Sequence, residues 1–271
     1  MILSGSLPDA RYGGEEMKVV ILAGGRGTRI SEESSLRPKP MVEIGDNPIL
    51  WHIMKIYSHY GFDDFVICCG YKGHMIKEYF TDYYIHQSDI TVDLANNAVE
   101  IHRSKAEPWK VTMVNTGLDT STSGRVLSVR KYLDEQPFML TYGDGVSDVN
   151  LRELLRFHRS HGKTATITAA KPAGRFGAIS LSGSRVQSFR EKSSIDEAWV
   201  NIGFAVFQPG VFDYLGDGSM MLETEPYERM AKDGEMMAFR HDGFWSPMDT
   251  MRDRGMLEGL WQSGEAPWKV W

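Results

Sequence analysis

The sequence predicts an α/β fold: a mostly parallel, mixed sheet with helices on both faces and one small β-rich insertion. Three observations carry this. Short apolar runs of strand length alternate with longer stretches whose apolar residues recur at helical spacing. The connections between them are short, which favours crossovers within one sheet. Three strand ends carry glycine or aspartate, at Gly24-Gly25, Gly143-Asp144 and the turn before Asp249, and open α/β sheets hold ligands at the carboxyl ends of their strands.

Taken in order, Lys18 to Ala23 is a continuous apolar run ending in two glycines, which predicts a central parallel strand. Asn47-Pro48 opens a helix in which Ile49, Leu50, Ile53, Met54, Tyr57 and Tyr60 form one apolar stripe before Gly61 stops it. Phe65–Cys69 is a second buried strand, followed by a short helix from His74 to Phe80. "TVDLANNAVEIHR" predicts two short strands around Asn96-Asn97, either a hairpin or an extension of the sheet. Then come a strand at Val111–Asn115, a helix at Gly124–Leu133, and a strand at Phe138–Tyr142 that runs into Gly143-Asp144-Gly145. A helix at Leu151–His161 and a strand at Thr164–Ala170 follow. Between about Ala170 and Phe207 lies the insertion, with short strands around Ala178 and Val186 and a third at Val200–Phe207. A helix at Glu223–Lys232, a strand at Met236–Arg240 and a helix at Thr250–Trp261 complete the chain. No linker interrupts it, so residues 17–271 read as one domain. The first 16 residues are charged, lack an apolar core and read as a leader or cloning extension, with Met17 a natural start.

Composition removes several function classes. The chain has 42% hydrophobic and 24% charged residues with a net charge of −6, so no general electrostatic attraction to nucleic acid or an anionic membrane is expected. No apolar run approaches the roughly 20 residues of a membrane span. Its two cysteines, Cys68 and Cys69, are adjacent in a strand; they read as buried small hydrophobes suited to a reducing cytoplasm. Any polyanion must then be held by a local group of cations.

Such a group surrounds "GGRGTR". A dinucleotide fingerprint would need a third glycine and an immediate helix, whereas Pro38 and Pro40 keep this chain extended. A P-loop would need Gly-Lys-Ser/Thr, which is absent. A glycine turn with arginines is by itself as often structural as functional. Lys39, held between two prolines, shifts the balance, because flanking prolines stiffen the backbone and aim the side chain. Arg26, Arg29, Arg37 and Lys39 around exposed backbone N–H groups make an electropositive cradle for a nucleoside triphosphate. Such a cradle requires a metal, and Mg²⁺ is held by one or two carboxylates plus phosphate oxygens. Asp144 is a candidate ligand. Asp249 is either the second ligand or the N-cap of the helix that begins beside it, and spacing does not separate the two.

Gly24-Gly25-Arg26-Gly27-Thr28-Arg29 followed by Pro38-Lys39-Pro40 resembles the sugar-phosphate nucleotidylyltransferases. "KPMVEIG", "PILWHIMK", "CCGYKG", "TYGDGV", "GRFGAI", "GFWSPMDT" and "LEGLW…APWK" extend the likeness from Met17 to Trp271, toward the cytidylyl-transferring branch. The resemblance implies a Rossmann-like nucleotidyltransferase fold, Mg²⁺ as cofactor, and CTP and glucose 1-phosphate as substrates. It also implies a homo-oligomer, a hexamer in that branch, with Trp261, Trp268 and Trp271 as interface or core aromatics. By the same resemblance, Leu22, Ala23, Gly24, Gly25, Arg26, Gly27, Thr28 and Arg29 wrap the nucleotide together with Lys39, Thr120, Arg125 and Gly143. Arg29, Lys39 and Lys192 are the catalytic cations. Gly177, Glu191, Lys192 and Asn201 bind the sugar phosphate, and Asp144 and Asp249 share the metal. Read without the resemblance, Glu191-Lys192 is a solvated charge pair and Asn201 a strand-edge turn residue. Ser193 and Ile202 depart from the family pattern and bear on the shape of the sugar side. Base choice among CTP, UTP and dTTP falls to the loop Thr116–Gly124, and a non-catalytic nucleotide-binding regulator on the same fold is the alternative of another class. The mechanism implied needs no Ser-His-Asp set, and the eight histidines are incidental to it.

Overall fold

The computed structural model describes residues 17–171, 178–182, 185–190 and 199–271, with the backbone alone at Arg29, Ser31, Glu32, 178–182 and 185–190. Seven strands form one sheet, in the spatial order Met236–His241, Ala165–Ala170, Val200–Phe207, Phe138–Tyr142, Val19–Ala23, Asp64–Cys69 and Lys110–Asn115. Val19–Ala23 lies parallel between Phe138–Tyr142 and Asp64–Cys69, the central position its unbroken apolar run predicts. Lys110–Asn115 and Met236–His241 also pair in parallel. Val200–Phe207 alone runs antiparallel to both its neighbours, which makes the sheet mixed.

A strand buried on both faces sends alternate side chains to opposite cores. Val19, Ile21 and Ala23 join Phe65, Ile67 and Cys69 in one core, packed by the helices Ile49–His59 and Leu151–His161. Val20 and Leu22 join Val66 and Cys68 in the other, against the helices Thr122–Val129 and Glu225–Lys232. Burial pushes the Cys68 thiol up to about 12 and that of Cys69 to about 11, so both are inert small hydrophobes.

Two expectations need correction. The chain after the glycine loop is not kept extended by Pro38 and Pro40 but forms a 3₁₀ turn at Thr28–Ile30, a short helix at Ser31–Ser34 and a second 3₁₀ turn at Lys39–Met41. The helix after Cys69 is longer than expected. The helix expected at His74–Phe80 runs from Gly73 to His86. Its added turns are held because Tyr83 stacks on Trp109 and packs beside Tyr79, so aromatic burial extends it beyond the span the sequence suggested. The Ser88–Asp93 and Ala98–Ser104 strands pair only with each other. Of the two readings of the stretch around Asn97 (φ 51°), the separate hairpin is the one the chain adopts. The insertion contributes its own two-stranded sheet, Ala178–Ser182 with Arg185–Arg190. No described helix is long and apolar enough to cross a membrane.

Trp268 belongs to the core, and the partly buried Trp261 and Trp271 pack against it. Trp268 is fully buried, and its indole N–H lies 3.4 Å from His52 Nδ1. Trp51, Trp261 and Trp271 also pack around the imidazole. His52 Nε2 donates to the Ile44 carbonyl at 2.9 Å, and burial lowers its pKa to about 4. The ring is therefore neutral, with its proton on Nε2.

Candidate active site

The cleft lies where the sequence placed it, at the carboxyl ends of Val19–Ala23 and Phe138–Tyr142, and encloses about 390 Å³. That is within the range of small-molecule sites. One wall is the chain at Leu22, Ala23, Gly24, Gly25, Gly27 and Thr28. Across it stand Lys39, Thr120, Arg125, Gly143 and Asp144. Gly27 takes φ +63° and Gly25 faces open space, so the loop presents its backbone to the cleft.

Lys39 reaches the cleft because of its prolines. Pro38 holds φ −67° and ψ 147°, and a 3₁₀ turn at Lys39–Met41 follows at once. The lysine side chain is 9% exposed, with Nζ 2.7 Å from Asp144 Oδ2 and 2.6 Å from Asp249 Oδ1. Topology brings those two carboxylates together. Gly145–Ser147 pairs antiparallel with Trp245–Pro247, and Met248 N–H donates to the Asp144 carbonyl at 2.8 Å. Asp144, just before one short strand, is thereby set beside Asp249, two residues before the last helix.

The alternative reading of Asp249 as an N-cap does not hold. Thr250 caps the helix Met251–Gln262 in a capping box with Asp253, so the Asp249 carboxylate is not the cap and meets Lys39 instead. Asp253 Oδ2 accepts from the backbone N–H of both Asp249 and Thr250, at 3.1 and 2.9 Å, and so fixes the backbone on which that carboxylate stands. Asp144 and Asp249 are hard oxygen donors aimed at one point, with no sulfur or imidazole among the described groups at that point. This donor set fits Mg²⁺.

The other cations divide. Arg26 forms an ion pair with Asp119 at 2.8 Å on the exposed rim. Arg37 is engaged by Glu43 at 2.6 Å and by Glu33 at 3.7 Å. Arg29 is described in its backbone alone, within the 3₁₀ turn Thr28–Ile30. Arg125 lines the cleft and also makes contacts within the chain. Its buried guanidinium donates to Thr116 Oγ1 at 2.6 Å and to the carbonyls of Gly117, Leu118 and Gly24 at 2.8, 3.2 and 3.1 Å. It therefore ties the glycine loop to the loop 116–118, and burial lowers its pKa. A Cβ on Gly24 would stand 2.1 Å from Arg125 Nη1, and one on Gly70 would stand 2.5 Å from the Gly24 carbonyl. Gly24 is thus required by the arginine, as well as by any ligand.

Thr120 Oγ1 donates to the Thr116 carbonyl at 2.5 Å, and Gly143 N–H donates to the Leu22 carbonyl at 3.0 Å. Asn201 is paired across the sheet with Ala169, and its Oδ1 accepts from Gly203 N–H at 3.0 Å, beside a register shift in that pairing. Gly177, Glu191 and Lys192 lie outside the described residues, as does Ser193. Sequence reasoning missed the part Glu223 plays beside the cleft. Its carboxylate accepts from the Tyr142 hydroxyl and from Thr122 Oγ1 at 2.7 Å, and burial raises the Tyr142 pKa. The phenol therefore stays protonated and holds that wall of the cleft.

A lysine and two carboxylates at the mouth of a glycine loop, on an α/β sheet, form a site for moving a phosphoryl-type group. A family model described as "Nucleotidyl transferase" matches residues 18–264. The chain belongs to the nucleotidyl transferase family. Within it, the chain is 54% identical to "Glucose-1-phosphate cytidylyltransferase" of Salmonella typhi over 94% of its own length and all of that protein's. It is 44% identical, with the same coverage, to "Probable glucose-1-phosphate cytidylyltransferase" of Bacillus subtilis. Among solved structures, a UDP-glucose pyrophosphorylase from Acinetobacter baumanii superposes with a TM-score of 0.66 at 16% identity, covering 93% of this chain and 96% of the other. That likeness establishes the nucleotidyl transferase fold and nothing finer.

Proposed function

We propose that the protein transfers the cytidylyl group of CTP to α-D-glucose 1-phosphate, giving CDP-glucose and pyrophosphate, with Mg²⁺ as its metal ion. The observation that carries this reading is the 54% identity along the entire length of a relative named for that reaction. The convergence of Lys39, Asp144 and Asp249 in one cleft supports it. A phosphate oxygen of the sugar phosphate attacks the α-phosphorus, and the bond to the β-phosphate oxygen breaks in line. The attacking oxygen is already anionic, so no base is needed, and catalysis consists of positioning and charge neutralisation. Lys39 stabilises the charge on the transferring phosphate. Backbone N–H groups of the glycine loop, with Arg29, hold the outer phosphates. Asp144 and Asp249 hold the metal, which when bound neutralises phosphate charge and orients the triphosphate. Lys192 brings in the sugar phosphate against repulsion, with Glu191, Gly177 and Asn201 around the hexose. A cytoplasmic homo-oligomer, a hexamer, is the proposed setting.

The test is pyrophosphate release from glucose 1-phosphate and Mg²⁺ with CTP, UTP, dTTP, ATP and GTP in parallel. Release with CTP strongly preferred is the expected result. Release with UTP or dTTP instead would transfer the reading to another base, and silence with all five from folded protein would leave a binding protein.

A further inference from the structure

We propose that in the nucleotide-free protein Lys39 is the resident counter-ion of the Asp144–Asp249 pair, so that a divalent cation enters this site only together with a nucleoside triphosphate. The proposal rests on the reading of the site given above and adds an order of binding to it. A single ammonium lies within 2.7 Å of one carboxylate and 2.6 Å of the other. Two negative charges that converge in a partly covered site would repel unless a cation lies between them, and here the chain supplies that cation itself.

A metal ion arriving alone would have to take those carboxylates from the ammonium. Lys39 has little freedom to retreat. Its backbone is held between Pro38 and Pro40 in a hydrogen-bonded turn, and its side chain is 9% exposed. Its Cβ also lies against Gly27, where an added methyl group would approach within 3.2 Å. An ammonium separated from both carboxylates in that position is a buried charge without a partner, which is strongly unfavourable. The metal alone therefore gains two ligands at the cost of stranding the lysine. A triphosphate changes the balance, because its oxygens give the released ammonium a new anion within the same cleft. The ion pairs with the carboxylates, the lysine with the phosphate, and every charge keeps a partner. Lys39 is then a positioning residue before it is a catalytic one: it holds both carboxylates in place while the site waits, and yields them only to a ligand that can receive it. By linkage, nucleotide must raise metal affinity by the factor by which metal raises nucleotide affinity.

The experiment is Mn²⁺ binding, followed by electron paramagnetic resonance of the free ion, in the full-length wild type and in Lys39→Met. Each is measured without nucleotide and with a CTP analogue that cannot be cleaved. Lys39→Met should bind Mn²⁺ alone about tenfold more tightly than wild type, and the gain in affinity on adding the analogue should shrink by a similar factor. Equal affinity of the two proteins for Mn²⁺ alone would overturn the proposal. A measurement on wild-type protein guards against a variant that does not fold. In protein labelled with ¹⁵N-lysine, the Lys39 side-chain resonance should stay in place when Mg²⁺ alone is added and move when Mg²⁺ and the analogue are added together. Movement with Mg²⁺ alone would equally overturn it. Failure of the functional reading looks different: the metal–lysine exchange would be seen, yet no pyrophosphate would appear with CTP and glucose 1-phosphate.

Discussion

At the scale of single residues, the glycine loop is shaped as much by Arg125 as by the space a phosphate needs. Gly24→Ala would place a methyl group 2.1 Å from the guanidinium, which is held by four acceptors. The arginine has to move, and its buried charge loses partners. A loss of about 1–3 kcal/mol of stability is expected, with a raised KM for CTP because the loop loses its tie to residues 116–118. Gly25→Ala meets open space and should change stability by no more than about 0.5 kcal/mol. Denaturant unfolding of both variants checks the contrast, and equal losses would show that the guanidinium does not set the loop. The sequence displays Gly24 and Arg125 plainly, but they are 101 positions apart, and no periodicity links an arginine to a glycine whose missing side chain it replaces. The Pro-Lys-Pro signal was legible for the opposite reason, because two prolines act on their own neighbour. The sequence could not show that the lysine they aim would rest between two aspartates.

At the scale of elements, the last helix holds the site through its cap. Asp253 completes the capping box and also accepts the Asp249 backbone N–H. Asp253→Ala should therefore cost about 1 kcal/mol as a lost cap. It should also raise the Mg²⁺ concentration needed for half-maximal activity, as the second carboxylate loosens. A stability loss with an unchanged Mg²⁺ requirement would make the cap purely structural. The tryptophan cluster gives a pH prediction. His52 has a folded-state pKa of about 4, below the unfolded value of about 6.5, so the unfolded chain takes up the proton first. Stability is complete above about pH 6.5 and falls as the pH drops toward 4, by about 3 kcal/mol in all. His158, also near 4 because of burial, adds to the same slope. Thermal unfolding between pH 7 and 4 should show this decline, and His52→Gln should flatten part of it. An unchanged slope in the variant would place the titration elsewhere. Helix and strand positions were legible because periodicity is local. The length of Gly73–His86 was not, since its last turns depend on Trp109, a contact made across the chain.

At the scale of the whole molecule, one sheet gathers residues from distant stretches of chain at its carboxyl edge. The cleft takes its walls from Leu22–Thr28, Lys39, the Thr120–Arg125 segment and the Tyr142–Asp144 strand end. Lys39 then ties Asp144 to Asp249, 210 positions away from the lysine. The parallel order of Val19–Ala23 and Phe138–Tyr142 sets the Gly24 and Asp144 ends side by side, and the separate pairing of Gly145–Ser147 with Trp245–Pro247 brings in Asp249. A ligand spanning these walls bridges segments that otherwise meet only through the sheet and a few side chains, so it should stabilise the fold as a unit. A ligand that binds only the folded state adds about 2.7 kcal/mol at one hundred times its dissociation constant, a rise of several degrees in Tm for a chain of this size. Mg²⁺ with CTP should produce that rise, and Mg²⁺ alone should produce much less, because Lys39 already occupies the carboxylates. UTP at the same concentration should give a smaller shift, since base selectivity is a difference in binding energy between two ligands with identical phosphates. Equal shifts with CTP and UTP would mean that discrimination, if turnover shows any, arises in the transition state. Equal shifts with Mg²⁺ alone and with Mg²⁺ and CTP would mean that the metal, rather than the nucleotide, joins the walls of the cleft.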